Sequence, residues 1–254
     1  MTQKKKRLAF KQLKFDAIFF DLFNTLLGFD FSHLSEVEFN GEIRKTSSVE
    51  IYRQLRNHFS VSFSYQSFFR EFIDSQTTVS KIRRESSLEI SALKRFQIIA
   101  DNLRIVDEKT ISMMLEIHMD QIFKCMYLPK STKKVLNAVS SYPLVLVSNF
   151  DHAPTVWRAL QKFDLKRYFE AIFISDEVGW RKPGERLFKI VLKYTQYRPE
   201  KCLWVGDDPE ADVEGASRAG FQVAWLPQKK QCPEPSPSPR WVLRDLTDIL
   251  EIVS

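Results

Sequence analysis

Apolar residues follow two different rhythms along this chain. Short, nearly unbroken apolar runs occupy residues 15–20, 144–147, 171–174, 203–205 and 223–226. Buried parallel strands read this way, because helices cover both faces of the sheet and neither face meets water. Helix-length patterns separate the later runs, at residues 131–140, 155–163, 185–194 and 212–219. Strands alternating with helices predict a doubly wound, Rossmann-like α/β core with a parallel sheet. A short strand at 241–243 and a helix at 246–252 close it.

Between residues 29 and 127 the apolar spacing changes to that of helices, about 3.6 residues. Val49, Tyr52, Leu55 and Phe59 form one stripe, and Phe68, Phe69, Phe72 and Ile73 a second. Leu88, Leu93, Phe96, Ile99 and Leu103 form a third, and Met114, Ile117, Gln121 and Met126 with their neighbours a fourth. Each stripe places apolar side chains on one helix face. Chain breakers sharpen the boundary: no proline precedes Pro129, and between Phe29 and Leu128 the only glycine is Gly41. The expected organisation is an arm at 1–14, an α/β core from 15–28 and 128–254, and an all-α domain inserted at 29–127. The proline-rich residues 228–240 read as a stiff surface connector.

The net charge of +6 changes this picture little. Residues 1–14 hold six basic residues (Lys4, Lys5, Lys6, Arg7, Lys11, Lys14) and no acid, which leaves 32 basic against 32 acidic residues elsewhere. A solvated arm on a neutral body gives no reason to expect a nucleic-acid partner. Leu8-Ala9-Phe10, cut short by Lys11, is too brief an apolar core for a secretory signal. No run approaches the roughly 18 apolar residues of a membrane span. Cys125, Cys202 and Cys232 are widely spaced without a CxxC pair, which argues against a disulfide framework and fits a reducing cytoplasm.

Ligands of an open parallel sheet gather beyond the carboxyl ends of its strands, so the residues following each run are the candidates for chemistry. The first run leads into Asp21-Leu22-Phe23-Asn24-Thr25, and the second into Ser148-Asn149-Phe150-Asp151. The third is followed by Gly179-Trp180-Arg181-Lys182-Pro183, and the fourth by Gly206-Asp207-Asp208, with Asp212 shortly after. Four segments thus bring a carboxylate, a hydroxyl, an ammonium and an acidic cluster to one edge. Each has a local structural reading alone, such as the helix N-cap open to Asp212.

In this order and spacing they resemble the haloacid dehalogenase-like superfamily of hydrolases over essentially the whole chain. The family's Asp-x-Asp-x-Thr motif is met by Asp21 with Asn24 and Thr25, its strand-end Ser/Thr by Ser148, its Gly-x-x-Lys-Pro by Gly179 to Pro183, and its Gly-Asp with a further Asp by Gly206, Asp207 and Asp212. A helical cap after the first motif corresponds to residues 29–127. The resemblance implies that Asp21 attacks the substrate and forms a covalent aspartyl intermediate. It implies Mg²⁺ held by Asp21, the Phe23 main-chain carbonyl and Asp207, with Asp208 or Asp212 completing or orienting that shell. Ser148, Asn149 and Lys182 would bind substrate, and Lys182 would also neutralise the charge developing on it. The implied partner is a small anionic metabolite selected by the cap, where Lys81, Arg83 and Arg84 form a basic cluster.

One position departs from the pattern. Phe23 replaces the second Asp, the acid/base of the family's phosphatases, a role worth about 10² to 10⁴ in rate. Three readings follow: a Mg²⁺-dependent phosphohydrolase in which another group (His152 is one candidate) or a good leaving group replaces the acid; a 2-haloacid dehalogenase, whose halide leaves unprotonated; or a weak or silent binding protein. The retained Asp207, Asp208 and Asp212 favour the first.

Overall fold

A computed structural model describes residues 13–59, 61–228 and 234–254; most of the basic arm and the centre of the proline-rich connector, with Cys232, lie outside the described residues. From β1 (Ala17–Phe20) the chain passes through β2 (Gly28–Phe29), β3 (Ser35–Phe39), β4 (Glu42–Thr46), α1 (Ser48–His58), α2 (Tyr65–Ser86), α3 (Ala92–Asn102) and α4 (Glu108–Cys125). It returns through β5 (Met126–Tyr127), α5 (Lys130–Ala138), β6 (Leu144–Ser148), α6 (Ala153–Lys162), β7 (Ala171–Ile174), the one-turn α7 (Ser175–Val178) and α8 (Glu185–Thr195). The chain ends with β8 (Cys202–Gly206), α9 (Gly215–Arg218), β9 (Gln222–Trp225), β10 (Trp241–Val242) and α10 (Ile249–Val253).

Six strands form one parallel sheet in the order β10-β9-β8-β1-β6-β7, as the apolar runs predict. Alternate side chains serve two cores. Ile18, Phe20, Leu144, Leu146 and Val205 pack under α5, α6 and α10, while Phe19, Val147, Trp204 and Val223 pack under α8 and α9. The chain moves outward from β1 to β6 and β7, then crosses back to β8, so the strand order reverses at β1. That reversal opens a crevice at the strands' carboxyl ends.

The insertion is helical over α1–α4, which share a core of their own around Ile51, Phe68, Phe96 and Met114. It is not all-α. Its first segment is an antiparallel hairpin, β3–β4, turned at Asn40-Gly41 with φ of +53° and +80°. Two positive φ values are what a tight hairpin of matching twist requires, and Asn-Gly supplies them cheaply. Leu88 also departs from the expected third helix. Ser87 ends α2 in a left-handed conformation and Ser91 caps α3, so Leu88 runs extended and bridges to Trp180 of the core.

Two features tie the insertion to the sheet edge. The short ribbon β2–β5 carries the chain out and back; there a Cβ on Gly28 would lie 2.3 Å from the Tyr127 ring, so only glycine lets that ring cross the backbone. Residues 87–92 also strap onto the core. Arg181 N donates to Ser87 O at 3.0 Å, Glu89 N to Gly179 O at 3.0 Å, and Ala92 N to Asp151 O at 2.7 Å.

Candidate active site

The candidate residues converge where the sheet reverses. Asp21 directly follows the central strand β1, and its N–H continues the ladder to Val205 O at 2.9 Å. The chain then turns sharply: Asn24 adopts φ +61° and the Leu26 and Leu27 amides both return to Leu22 O. Ser148 is the last residue of β6, and Asp207 follows β8. Asp212 lies in a π-helical segment, Pro209–Glu214.

Lys182 is the hub. Its ammonium donates to Asp21 Oδ1 at 2.6 Å, Asp212 Oδ1 at 2.7 Å and the Val147 carbonyl at 2.9 Å. Those three acceptors use all three of its donors, so Lys182 does not hydrogen-bond substrate directly as the sequence reading allowed. It acts through its charge and by holding Asp21. Burial opposes that charge, but Asp21 and Asp212 outweigh burial and hold the ammonium above its ordinary pKa. Asp212 also accepts from Trp204 Nε1 at 3.2 Å. The close approach depends on Gly206, where a Cβ would sit 2.3 Å from Asp212 Cγ.

Asp21, Asp207 and Asp212 can each turn one carboxylate oxygen to within 4.8 Å of the others. With one ammonium among three carboxylates, full ionisation would leave two negative charges uncompensated, and like charges about 4 Å apart repel by roughly 4 kcal/mol at an effective dielectric near 20. Burial pushes the Asp21 carboxyl up to about 7, with Lys182 pulling against it and Asp212 adding to it. Burial and the charges of Asp21 and Asp212 push Asp207 up to about 8. The Asp207 carboxylate has no hydrogen-bond partner among the described residues, and Asp21 Oδ2 has no side-chain donor. An all-oxygen, electron-rich set with free lone pairs fits a hard divalent cation.

The other predicted residues divide. Ser148 Oγ is fully buried beside the cluster without a partner, as is Thr25 Oγ1; a buried hydroxyl left unpaired points to a ligand or water that satisfies it. Asn149 is engaged within the protein. Its amide pairs with the Lys182 backbone in both directions, 2.8 and 2.9 Å, which makes it a positioning residue for the lysine. Asp208 stands outside the carboxylate group, its Oδ1 capping the amides of Glu210 and Ala211. The Phe23 ring lies against Phe29 and Phe150, with centroids 5.0 and 4.8 Å away. His152 begins α6 and bonds Thr155 Oγ1 at 2.8 Å, the role of a helix-start residue.

Of the basic cluster, only Arg83 is consumed within the protein, and Arg84 is exposed. Lys81 is exposed beside Glu85. Arg83 turns inward to Glu89 at 2.8 Å and Asp151 at 2.9 Å. Glu89, with its side chain only 1% exposed, also meets Arg181 at 3.2 Å and Ser175 Oγ at 2.5 Å. Sequence reasoning missed Glu89, because nothing local distinguishes it from a solvated helix acid.

The sequence model of the family described as haloacid dehalogenase-like hydrolase matches residues 44–226, a span that begins after Asp21. The pyrimidine 5′-nucleotidase YjjG of Escherichia coli is 25% identical over 252 residues, 95% of this chain and 99% of its own length. The phosphoserine phosphatase of Thermus thermophilus is 36% identical over 85 residues, so the match spans only 34% of each chain. Among solved structures, the 2-haloacid dehalogenase of Pseudomonas syringae pv. Tomato superposes with a TM-score of 0.67 at 15% identity, covering 94% of this chain and 97% of the other. The magnesium-bound HAD-hydrolase YfnB of Bacillus subtilis gives 0.62 at 17% identity over 94% and 98%. At these identities the structural likeness speaks for the fold alone.

Proposed function

The chain belongs to the haloacid dehalogenase-like hydrolase family, and from that premise we propose that it is a Mg²⁺-dependent phosphohydrolase acting on a small anionic metabolite through an aspartyl intermediate. The observation that carries this reading is the set of three carboxylates gathered about one buried ammonium. Mg²⁺ held by Asp21, Asp207, the Phe23 carbonyl and the Asp212 side of the cluster would supply charge neutralisation for a phosphoryl group.

The remaining steps belong to the chain's own residues. Asp21 Oδ1 is pinned by Lys182, which leaves Oδ2 to attack phosphorus as the bond to the leaving oxygen breaks. Water then cleaves the acyl phosphate and regenerates the carboxylate. The unpaired Ser148 hydroxyl donates to a phosphoryl oxygen, and Asp212 keeps Lys182 beside the nucleophile. Phe23 offers no proton, so the leaving oxygen is protonated by solvent, and esters with acidic leaving groups are favoured.

The Phe23 environment also favours a second reading, hydrolytic dehalogenation, in which halide departs from an aromatic wall without a proton. The carboxylate cluster weighs against it. A panel of phosphomonoesters and 2-haloacids, assayed with Mg²⁺ and with chelator, tests both. Phosphate release lost with chelator and in Asp21→Asn is expected. Chelator-resistant halide release, or no product at all from either panel, overturns the proposal.

A further inference from the structure

Above the sheet edge, between the insertion and the core, lies a cavity of about 320 Å³. Aromatic and apolar side chains line most of it, among them Phe31, Phe72, Met119 and Phe150. Phe150 is also the ring that packs on Phe23, two residues from Asp21, so these two rings link the cavity wall to the proposed site. Two cations border this space: Lys45, which pairs with Glu36 at 3.1 Å, and Arg95. Arg95 of α3 is only 7% exposed and sits over the rings of Phe72 and Phe96, 5.1 Å from each centroid.

Arg95 forms no ion pair with a carboxylate among the described residues. Asp151 also borders the cavity, but its carboxylate meets Arg83 at 2.9 Å. Of the five N–H donors a guanidinium carries, only one, on Nη2, has an acceptor among the described residues: His118 Nε2 at 2.9 Å. Arginine can only donate, so Nε2 must accept, and the ring proton of neutral His118 resides on Nδ1. From there it donates to Ser47 Oγ at 2.7 Å. This chain, Ser47 to His118 to Arg95, fixes the guanidinium's orientation while leaving its charge unmatched. Arg95 Nε is buried without any partner. A desolvated, uncompensated cation is costly, and a carboxylate relieves both deficits by neutralising the charge and accepting two N–H groups in parallel.

We propose that Arg95, oriented by His118 and Ser47, binds a carboxylate on the organic part of the substrate, so that the site takes small carboxylate-bearing phosphomonoesters. The proposal rests on the phosphohydrolase reading and narrows its substrate class. A neutral heterocycle would satisfy donors but leave the charge unmatched, and the cavity is at the small end of ligand sites, which run from about 300 to 1,000 Å³.

The test compares phosphoglycolate with ethyl phosphate, which differ in the carboxylate, and with uridine 5′-monophosphate, all with the full chain and Mg²⁺. A kcat/KM preference for phosphoglycolate over ethyl phosphate of about tenfold or more is expected, falling to near unity in Arg95→Met. Arg95→Lys, which keeps charge without the fork, should fall between, and it carries the test if Arg95→Met does not fold. Equal rates for the matched pair, an Arg95→Met preference left intact, or a preference for the nucleotide overturns the inference. Calorimetry of phosphoglycolate binding to Asp21→Asn, with and without Arg95→Met, reads the cavity without turnover. Arg95-dependent binding with no hydrolysis keeps the inference and ends the phosphohydrolase reading; hydrolysis indifferent to Arg95 does the reverse.

Discussion

Replacing Lys182 by Met, which keeps the length of the side chain and removes its charge, probes the whole cluster at once. The ammonium meets carboxylate oxygens at 2.6 and 2.7 Å, and charges about 3–4 Å apart interact by roughly 4–5 kcal/mol each at an effective dielectric near 20. Removing the desolvation of the ammonium offsets much of that. The net loss on breaking a buried pair from one side is about 3–5 kcal/mol. At about 2–4 °C per kcal/mol for a chain of this size, Tm should fall by roughly 6–20 °C.

The loss should also depend on pH. A carboxyl raised in the folded state contributes stability below its unfolded pKa and loses it as pH rises through the folded one. Asp21, already held at about 7 beside Lys182, moves higher without it. The deficit of Lys182→Met therefore grows between about pH 5 and pH 8. Circular-dichroism melts of metal-free wild type and variant at both pH values measure this. Melting temperatures that coincide at the higher pH, or a deficit independent of pH, would refute the charge balance described above.

Gly206→Ala should displace Asp212, since its Cβ would fall 2.3 Å from the carboxylate carbon; a loss of about 10²-fold or more in kcat is expected, read against the Asp212→Ala variant. Because Asp21 and Asp207 titrate near 7 and 8, Mg²⁺ must displace protons, so its affinity should rise with pH up to about 8 and its binding enthalpy should vary with buffer ionisation. Phe23→Asp should raise phosphomonoesterase activity at neutral pH, and an intact fold without that gain would mean that proton supply is not limiting. Glu89→Gln leaves Arg83 and Arg181 without their shared carboxylate; faster amide exchange at Glu89, Ala92 and Arg181, with the sheet amides unchanged, is the expected signature.

The sheet was legible because strands buried on both faces must be apolar throughout, and the rules of an open sheet then pointed to Asp21, Ser148, Lys182 and Asp207. The hairpin was legible too, in Asn40-Gly41, but a helix-rich composition over the surrounding residues outweighed one dipeptide. What lay beyond reach were side-chain roles settled by distant partners. Asn149 spends itself on the Lys182 backbone, 33 residues away in sequence. Asp208 looks like a metal ligand beside Asp207 and becomes a cap because the chain turns at once into Pro209. Arg95 and His118 sit on two helical stripes whose facing angle no periodicity specifies.

The strap at residues 87–92 has a mechanical consequence. A body joined to its base only through the adjacent strands β2 and β5 can pivot about that ribbon as about an axle. The backbone hydrogen bonds that join Ser87, Glu89 and Ala92 to the core fasten it again off that axis. Two fixings that share no axis cancel the pivot. Asp120 of α4, paired with Arg158 of α6 at 3.1 Å, adds a further fastening, so the insertion swings about the ribbon only if the strap and this pair both yield.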